Sequence, residues 1–393
     1  MSLTNNNSPV ESVGALYVHI PFCVQKCAYC DFASSATCAD DPAIDAYLAS
    51  QLSDIRRFAE LGLLRECKTA YIGGGTPTIL GTKGLMELVG EIRNVCPQLE
   101  ELTFEANPDT LDDTMLTNAS TYGATRVSIG VQSLEDIELK ELRRVHDAQT
   151  AQNKVRAAVA SGLDVSVDLM CAIPEQTDES WQRTLLDVVG MGVDHVSVYP
   201  LAIEEGTEFG RLYLGMQPTW NDEEVQARRM IAARDVLEEA GYCRYEVASY
   251  AKQGKRCLHN IAYWTGITYL GLGTGAASML NPRQYELVRS VYCKLPHIHD
   301  ECPRIRISLL GREVELLSSD QATAEDLMLG MRLVDGVASE SVPASTRTKL
   351  IEEKLARTEG NRLVPTTRGW LLGNELYGTM WDIAKGEVQT LSW

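Results

Sequence analysis

The sequence predicts an α/β fold built on a parallel sheet, followed by a smaller C-terminal α+β unit. Three observations predict it. Six short β-type runs alternate with six longer helical patterns over the first 240 residues, the order that a parallel sheet with crossover helices requires. Gly62, Gly123, Gly162 and Gly241 fall where helices of that series would end. Beyond Gly241 the alternation stops and the composition changes. Six units suit a partial barrel or an open doubly wound sheet, and their unequal spacing excludes a solenoid of strict repeats.

The strand candidates are residues 16–20, 69–73, 102–106, 126–130, 164–170 and 195–200, rich in Val, Ile, Tyr and Thr or alternating with period two. The helical patterns cover 43–64, 83–94, 112–122, 148–161, 179–190 and 223–240, with Asp41-Pro42 as N-cap and first-turn proline of the first. Residues 246–282 read as Gly- and aromatic-rich loop. From about Pro303 a winged-helix-like α+β segment is expected, helical over 324–334, 342–357 and 370–381. The expected division is a disordered N-terminus over 1–14, a core over 15–300 and a C-terminal domain over 301–393.

Of 393 residues, 45% are hydrophobic and 23% charged, so the chain can bury a sizeable core. A net charge of −18, from 36 Lys+Arg against 54 Asp+Glu, opposes a phosphate backbone, and nucleic acid is not an expected partner. The opening residues MSLTNNNSPVESVG are polar and lack an apolar signal core, so a cytoplasmic chain with reduced thiols is expected. Residues 257–282 hold no Asp, Glu, Lys or Arg, yet four glycines and several Thr and Asn make them too polar for hydrocarbon. They read as buried, tightly turned backbone, so the chain is not expected to be an integral membrane protein.

The densest chemistry is Cys23-x3-Cys27-x2-Cys30, immediately after the first strand in YVHIPFCVQKCAYCDF. A zinc site wants a fourth Cys or His, and a [4Fe-4S] cluster usually takes four thiolates. Cys38 does not continue the spacing. Three ligands therefore imply an iron with an open position that a small molecule can fill. Polar groups gather at the other strand ends: Gly73-Gly74-Gly75-Thr76-Pro77 after the second, Glu105 in the third, Gln132 after the fourth, Asp168 in the fifth and Tyr199 in the sixth. The C-terminal ends of parallel strands are where α/β folds place their sites.

CxxxCxxC after a first strand resembles the radical S-adenosylmethionine (SAM) superfamily. The resemblance implies a partial (β/α)6 barrel and a [4Fe-4S] cluster on Cys23, Cys27 and Cys30. It also implies S-adenosyl-L-methionine chelating the unique iron, from which a reduced cluster can release a 5′-deoxyadenosyl radical. YVHIPFC, GGGTPT, EANP, RVSIGVQS, the Arg144-Val145-His146 segment and the Gln176-Thr177 turn narrow the likeness to the oxygen-independent coproporphyrinogen oxidase branch, over essentially the whole chain. By that resemblance Tyr17, Gly74 and Glu105 hold the cluster-bound SAM. Tyr29, Gly75, Thr76, Gln132, Arg144 and Asp168 occupy positions of a second SAM-type site.

Within the branch the chain is similar to the heme chaperone group. Phe32 stands where the oxidase pattern carries a fourth cysteine, 22 residues precede Cys23 where the oxidase has a long extension, and His259-Asn260-Ile261-Ala262-Tyr263-Trp264 reproduces the HNxxYW heme motif. The resemblance implies heme as ligand, with His259 on the iron and Tyr263 and Trp264 against the porphyrin face. It further implies a heme-acceptor protein of the respiratory class as partner, and raises a homodimer. The alternative is an oxygen-independent coproporphyrinogen III dehydrogenase. Cys293-x3-His297-x-His299-x2-Cys302 has zinc-like spacing but reads as an exposed connector. Glu175 replaces a glycine of the family's YGLPGQT turn, which puts that loop's backbone shape in question.

Overall fold

The computed structural model describes residues 11–216, 218–299 and 302–393. All six expected strands form: β1 (Ala15–Ile20), β2 (Thr69–Gly74), β3 (Glu101–Ala106), β4 (Arg126–Gln132), β5 (Asp164–Cys171) and β6 (His195–Pro200). They lie side by side in chain order and every neighbouring pair is parallel. Period-two alternation gives the sheet two different faces. Leu16, Val18, Ile20, Ala70, Ile72, Leu102, Phe104, Val127, Ile129, Val165, Val167, Val196 and Val198 are fully buried in the main hydrophobic core. The intervening residues form a polar inner face, on which the register sets Tyr17 beside Tyr71, Tyr71 beside Thr103, Glu105 beside Ser128, and Asp168 between Gly130 and Ser197.

The barrel is partial. Beyond β6 the sheet continues antiparallel through β8 (Ser249–Ala251) to β7 (Cys243–Arg244). Beyond β1 it continues through β9 (Tyr269–Leu272), a seventh parallel strand, and then antiparallel through β10 (Ala277–Leu280), β11 (Arg304–Ser308), β12 (Glu313–Leu317) and β13 (Gln389–Ser392). Residues 246–282, read from sequence as loop, thus supply three strands and the helix Leu258–Trp264. Their charge-free run reflects burial inside this assembly; among the described residues no helix is long and apolar enough to cross a membrane.

Two expected boundaries differ from the structure. Residues 1–10 lie outside the described residues, but 11–14, expected without order, are tied down: Val13 is fully buried and bonded to Leu63, and the Gly14 N–H bonds the Thr268 carbonyl. The cut expected near residue 300 falls between paired strands, since all of β10 pairs with residues 305–308 of β11. The smaller α+β unit lies between β12 and β13. It comprises helices Ser319–Gly330, Ala344–Glu352, Thr367–Leu371 and Gly373–Trp381 with strands Val337–Ala338, Ala356–Glu359 and Arg362–Pro365. Its separate core includes Leu327, Met331, Leu350, Leu363, Leu376 and Met380. Trp370 docks it on the barrel, donating to the Val247 carbonyl (2.8 Å) beneath the Arg244 guanidinium (4.3 Å from the ring centre).

Candidate cofactor-binding site

The C-terminal ends of β1–β6 open into a cavity of about 350 Å³. Cys23, Cys27 and Cys30 all line it. Cys23 sits in a two-residue strand, Phe22–Cys23, paired with Ser35–Ala36. The loop between is drawn together by the Lys26 ammonium, which donates to the Phe32 and Ser34 carbonyls (2.9 and 3.1 Å). The Thr76 hydroxyl approaches Cys23 Sγ (3.5 Å) and Arg144 Nη1 approaches Cys27 Sγ (3.4 Å). Burial pushes the Cys30 thiol up, and its neighbours Cys27 and Cys23 add to the effect. Among the described residues no three His, Cys, Asp or Glu side chains gather around a single-ion position. A four-iron cube spreads its thiolates wider than one ion does, and three thiols of one loop facing one cavity fit that larger group.

Glycine is required at the edge of this cavity. Gly74 has φ +111°, and a Cβ there would lie 2.5 Å from the His19 ring. A Cβ on Gly75 would lie 2.5 Å from the Phe22 carbonyl oxygen and 2.9 Å from that of Ile20. The close approach lets the Gly75 and Thr76 N–H groups bond those carbonyls, each at 2.7 Å, lacing β2 to the start of the cysteine loop.

Two carboxyls share the interior. Glu105 accepts from the Tyr71 hydroxyl (2.9 Å) and the Gly74 N–H (3.1 Å). Burial, reinforced by the Asp168 charge, pushes it up to about 7. Asp168 accepts from Ser128 (3.0 Å) and burial pushes it up to about 6. Arg144 lines the same cavity; its Nη2 donates to Asn107 Oδ1 and the Gly130 carbonyl, both at 2.7 Å, while its buried Nε lacks a protein partner. Gln132 lines the cavity at the bulge of β4 with φ +66°, and Tyr29 and Thr76 line it as well. Two carboxyls and a guanidinium lining one cavity suit a ligand carrying both an ammonium and a carboxylate, the chemistry of an amino-acid moiety. The residues present therefore fit a cluster-bound SAM.

Of the fifteen residues that the resemblance assigns to cluster, SAM or heme, eleven line this cavity and four do not; Tyr199, at the end of the sixth strand, lines it too. Tyr17 stands behind it, bonded to His19 Nδ1 (2.9 Å) and stacked on Tyr71. The HNxxYW motif is the helix Leu258–Trp264, away from the cavity. His259, which the resemblance puts on heme iron, does not line the cavity. His259 is 1% exposed, with Nδ1 on Thr69 Oγ1 (3.0 Å) and Nε2 on the Tyr263 hydroxyl (3.2 Å). Burial lowers its pKa to about 3, so the ring is neutral. Trp264 donates to Glu246 (3.2 Å) and its ring carries the Arg332 guanidinium rather than standing free. The helix's first N–H groups, of Leu258 and His259, bond Glu101, which itself pairs with Arg126.

Sequence reasoning missed Tyr71 and Asn107. Tyr71 was findable: it lies two residues before Gly73, hence on the same inner face. Asn107 follows Glu105 in EANP but gave no separate signal. Phe32, in place of a fourth cysteine, lines the cavity rim and is 63% exposed. Glu175 adopts φ +61°, so the turn keeps a glycine-like shape without glycine. His297 and His299 stack face to face, and His297 takes a bond from Arg289.

Comparison with known proteins agrees with this architecture. Residues 17–188 match the model of the radical SAM superfamily. The chain is 35% identical to the heme chaperone HemW of Escherichia coli over 72% of its length and 74% of the relative's. It is 31% identical to that of Mycobacterium tuberculosis over 93% and 94%, and 30% identical to that of Lactococcus lactis over 94% and 97%. Among solved structures, the coproporphyrinogen III oxidase HemN of E. coli, a radical SAM enzyme, superposes with a TM-score of 0.72 over 94% of this chain and 90% of that one; at 19% identity it shares the fold. A cysteine loop at the open end of a partial barrel, continued through a C-terminal α+β unit, is thus joined to relatives that match nearly end to end, and the chain belongs to the heme chaperone HemW family of the radical SAM superfamily.

Proposed function

We propose that this protein is a heme chaperone that binds heme and passes it to an acceptor protein, while carrying a [4Fe-4S] cluster and an exchangeable SAM. The observation that carries the reading is the near full-length likeness to proteins named heme chaperones. Phe32 at the cavity rim supports it against the oxidase alternative, because a fourth cysteine is lacking there.

Cys23, Cys27 and Cys30 would hold the cluster, leaving one iron for SAM. When bound, SAM and a reduced cluster supply radical chemistry. The chain's own part would be to orient ligands: Tyr17, Gly74 and Glu105 would hold the cluster-bound SAM, while Tyr29, Gly75, Thr76, Gln132, Arg144 and Asp168, which line the same cavity, would form the second SAM-type site. Heme would use the segment carrying His259, Tyr263 and Trp264. Since both His259 nitrogens are engaged and the ring is buried, iron ligation would have to displace Thr69 or Tyr263 and loosen the seat of the helix Leu258–Trp264. A cytoplasmic setting, where thiols stay reduced, and a respiratory heme enzyme as acceptor complete the reading.

The test is anaerobic cluster reconstitution, followed by parallel assays with heme and with coproporphyrinogen III plus SAM and reductant. A stoichiometric Soret-shifted complex, weakened by His259→Ala, with no protoporphyrinogen formed, is expected. Protoporphyrinogen at a catalytic rate would make the chain an oxidase. Cys27→Ala should abolish cluster absorbance and leave heme binding intact; loss of both would mean the two sites are not separable.

A further inference from the structure

Tyr71 touches both ends of the barrel interior. Its hydroxyl donates to Glu105 Oε1, while the other oxygen of that carboxylate takes the Gly74 N–H. Its ring lies on His259, with centres 5.2 Å apart and planes 27° apart, and on its other neighbour Tyr17 at 6.3 Å and 27°. His259 is itself held by Thr69 and Tyr263, and its helix by Glu101. A phenylalanine would fill the same space, but only a tyrosine reaches Glu105, and a buried tyrosine hydroxyl needs such a partner. The carboxylate expected to face the SAM ammonium thus rests on a ring whose support is the heme-motif helix.

We infer that Tyr71 is a positioning residue that couples the helix Leu258–Trp264 to Glu105, so that heme loading through that helix and SAM binding in the cavity oppose each other. The identity of the two ligands rests on the function proposed above; the coupling rests on the contacts. Ligation by His259 breaks a bond to Thr69 or Tyr263, unseats the ring under Tyr71, and frees Glu105 from its fixed geometry. The effect is reciprocal by linkage: bound SAM, by fixing Glu105 and Tyr71, holds the helix closed against heme.

The test uses the full chain with its cluster reconstituted, reading SAM affinity by equilibrium dialysis and the EPR line shape of the reduced cluster with and without SAM. Wild type is compared with Tyr71→Phe, His259→Ala, the milder Tyr263→Phe, and each distal change combined with Tyr71→Phe. Loss of the bond to a charged acceptor should weaken SAM binding about tenfold in Tyr71→Phe without loss of cluster. Each distal change should weaken it severalfold alone and add little in the Tyr71→Phe background. Wild-type affinity and line shape in Tyr71→Phe, silence of both distal changes, or full additivity would overturn the coupling. Loading wild type with heme should lower SAM affinity, and Tyr71→Phe should blunt that drop. If the wild type takes up no heme, the chaperone reading fails while the heme-free variants still decide the coupling.

Discussion

Replacing Glu105 by Gln keeps its shape and removes the charge; its single amide oxygen can still accept from the Gly74 N–H, while its NH2 must donate to a Tyr71 hydroxyl turned to accept. Burial first, and the neighbouring Asp168 second, raise this carboxyl from 4.5 to about 7 in the fold. A carboxyl whose folded pKa lies above its unfolded value penalises the folded state when ionised. The penalty is absent below about pH 4.5, grows as pH rises toward 7, and is complete above it. At 1.36 kcal/mol per tenfold change in protonation, this rise caps the penalty at about 3 kcal/mol. That is a large share of the roughly 5–15 kcal/mol by which domains are stable. Glu105→Gln should therefore stabilise the cluster-free chain by up to about 3 kcal/mol at pH 8 and by almost nothing near pH 4.5. In the cluster-loaded protein the same change should weaken SAM binding, because the counter-charge for its ammonium is gone. Urea unfolding followed by circular dichroism at both pH values, paired with SAM dialysis, measures the two effects. A variant less stable than wild type at pH 8, or equally stabilised at both pH values, would refute the reasoning.

Gly75→Ala drives a Cβ into the Phe22 and Ile20 carbonyls and should cost about 2–4 kcal/mol while lowering cluster occupancy, read by melting and by cluster absorbance. The matched control, Gly378→Ala in the helix Gly373–Trp381, meets nothing within 4 Å and should instead gain about 0.5–1 kcal/mol. Glu175→Gly relieves a left-handed backbone at an exposed position and should raise stability by about 1 kcal/mol, detectable as a higher urea midpoint. Arg126→Met strands the buried Glu101 carboxylate and should cost about 3–5 kcal/mol. A near-neutral result there would mean that the backbone N–H groups of Leu258 and His259 suffice for Glu101.

Local pattern carried much of the fold. Period-two runs located all six strands, since each outer face needs apolar residues under the helices whatever the rest of the chain does. The triad of Cys23, Cys27 and Cys30, and the glycines of residues 73–75, were legible because their spacing within a dozen residues already limits where they can point. Glu105, Gln132 and Asp168 followed once each was placed at the C-terminal end of a parallel strand.

Residues 246–282 were not legible. Gly- and aromatic-rich, and free of charge from residue 257 on, they resemble loop until β9 pairs with β1, and that pairing depends on strands about 250 residues away. The domain cut failed for the same reason, because β10 and β11 join across the connector that suggested it. The resemblance gave His259 to heme iron; its burial and its bonds to Thr69, 190 positions earlier, and to Tyr263 arise only when the helix seats against the barrel. Tyr71 shows the division most clearly. Alternation alone sets it on the inner face, but that it bonds Glu105 on one side and stacks on His259 on the other is decided by register and packing, which no local stretch of sequence encodes.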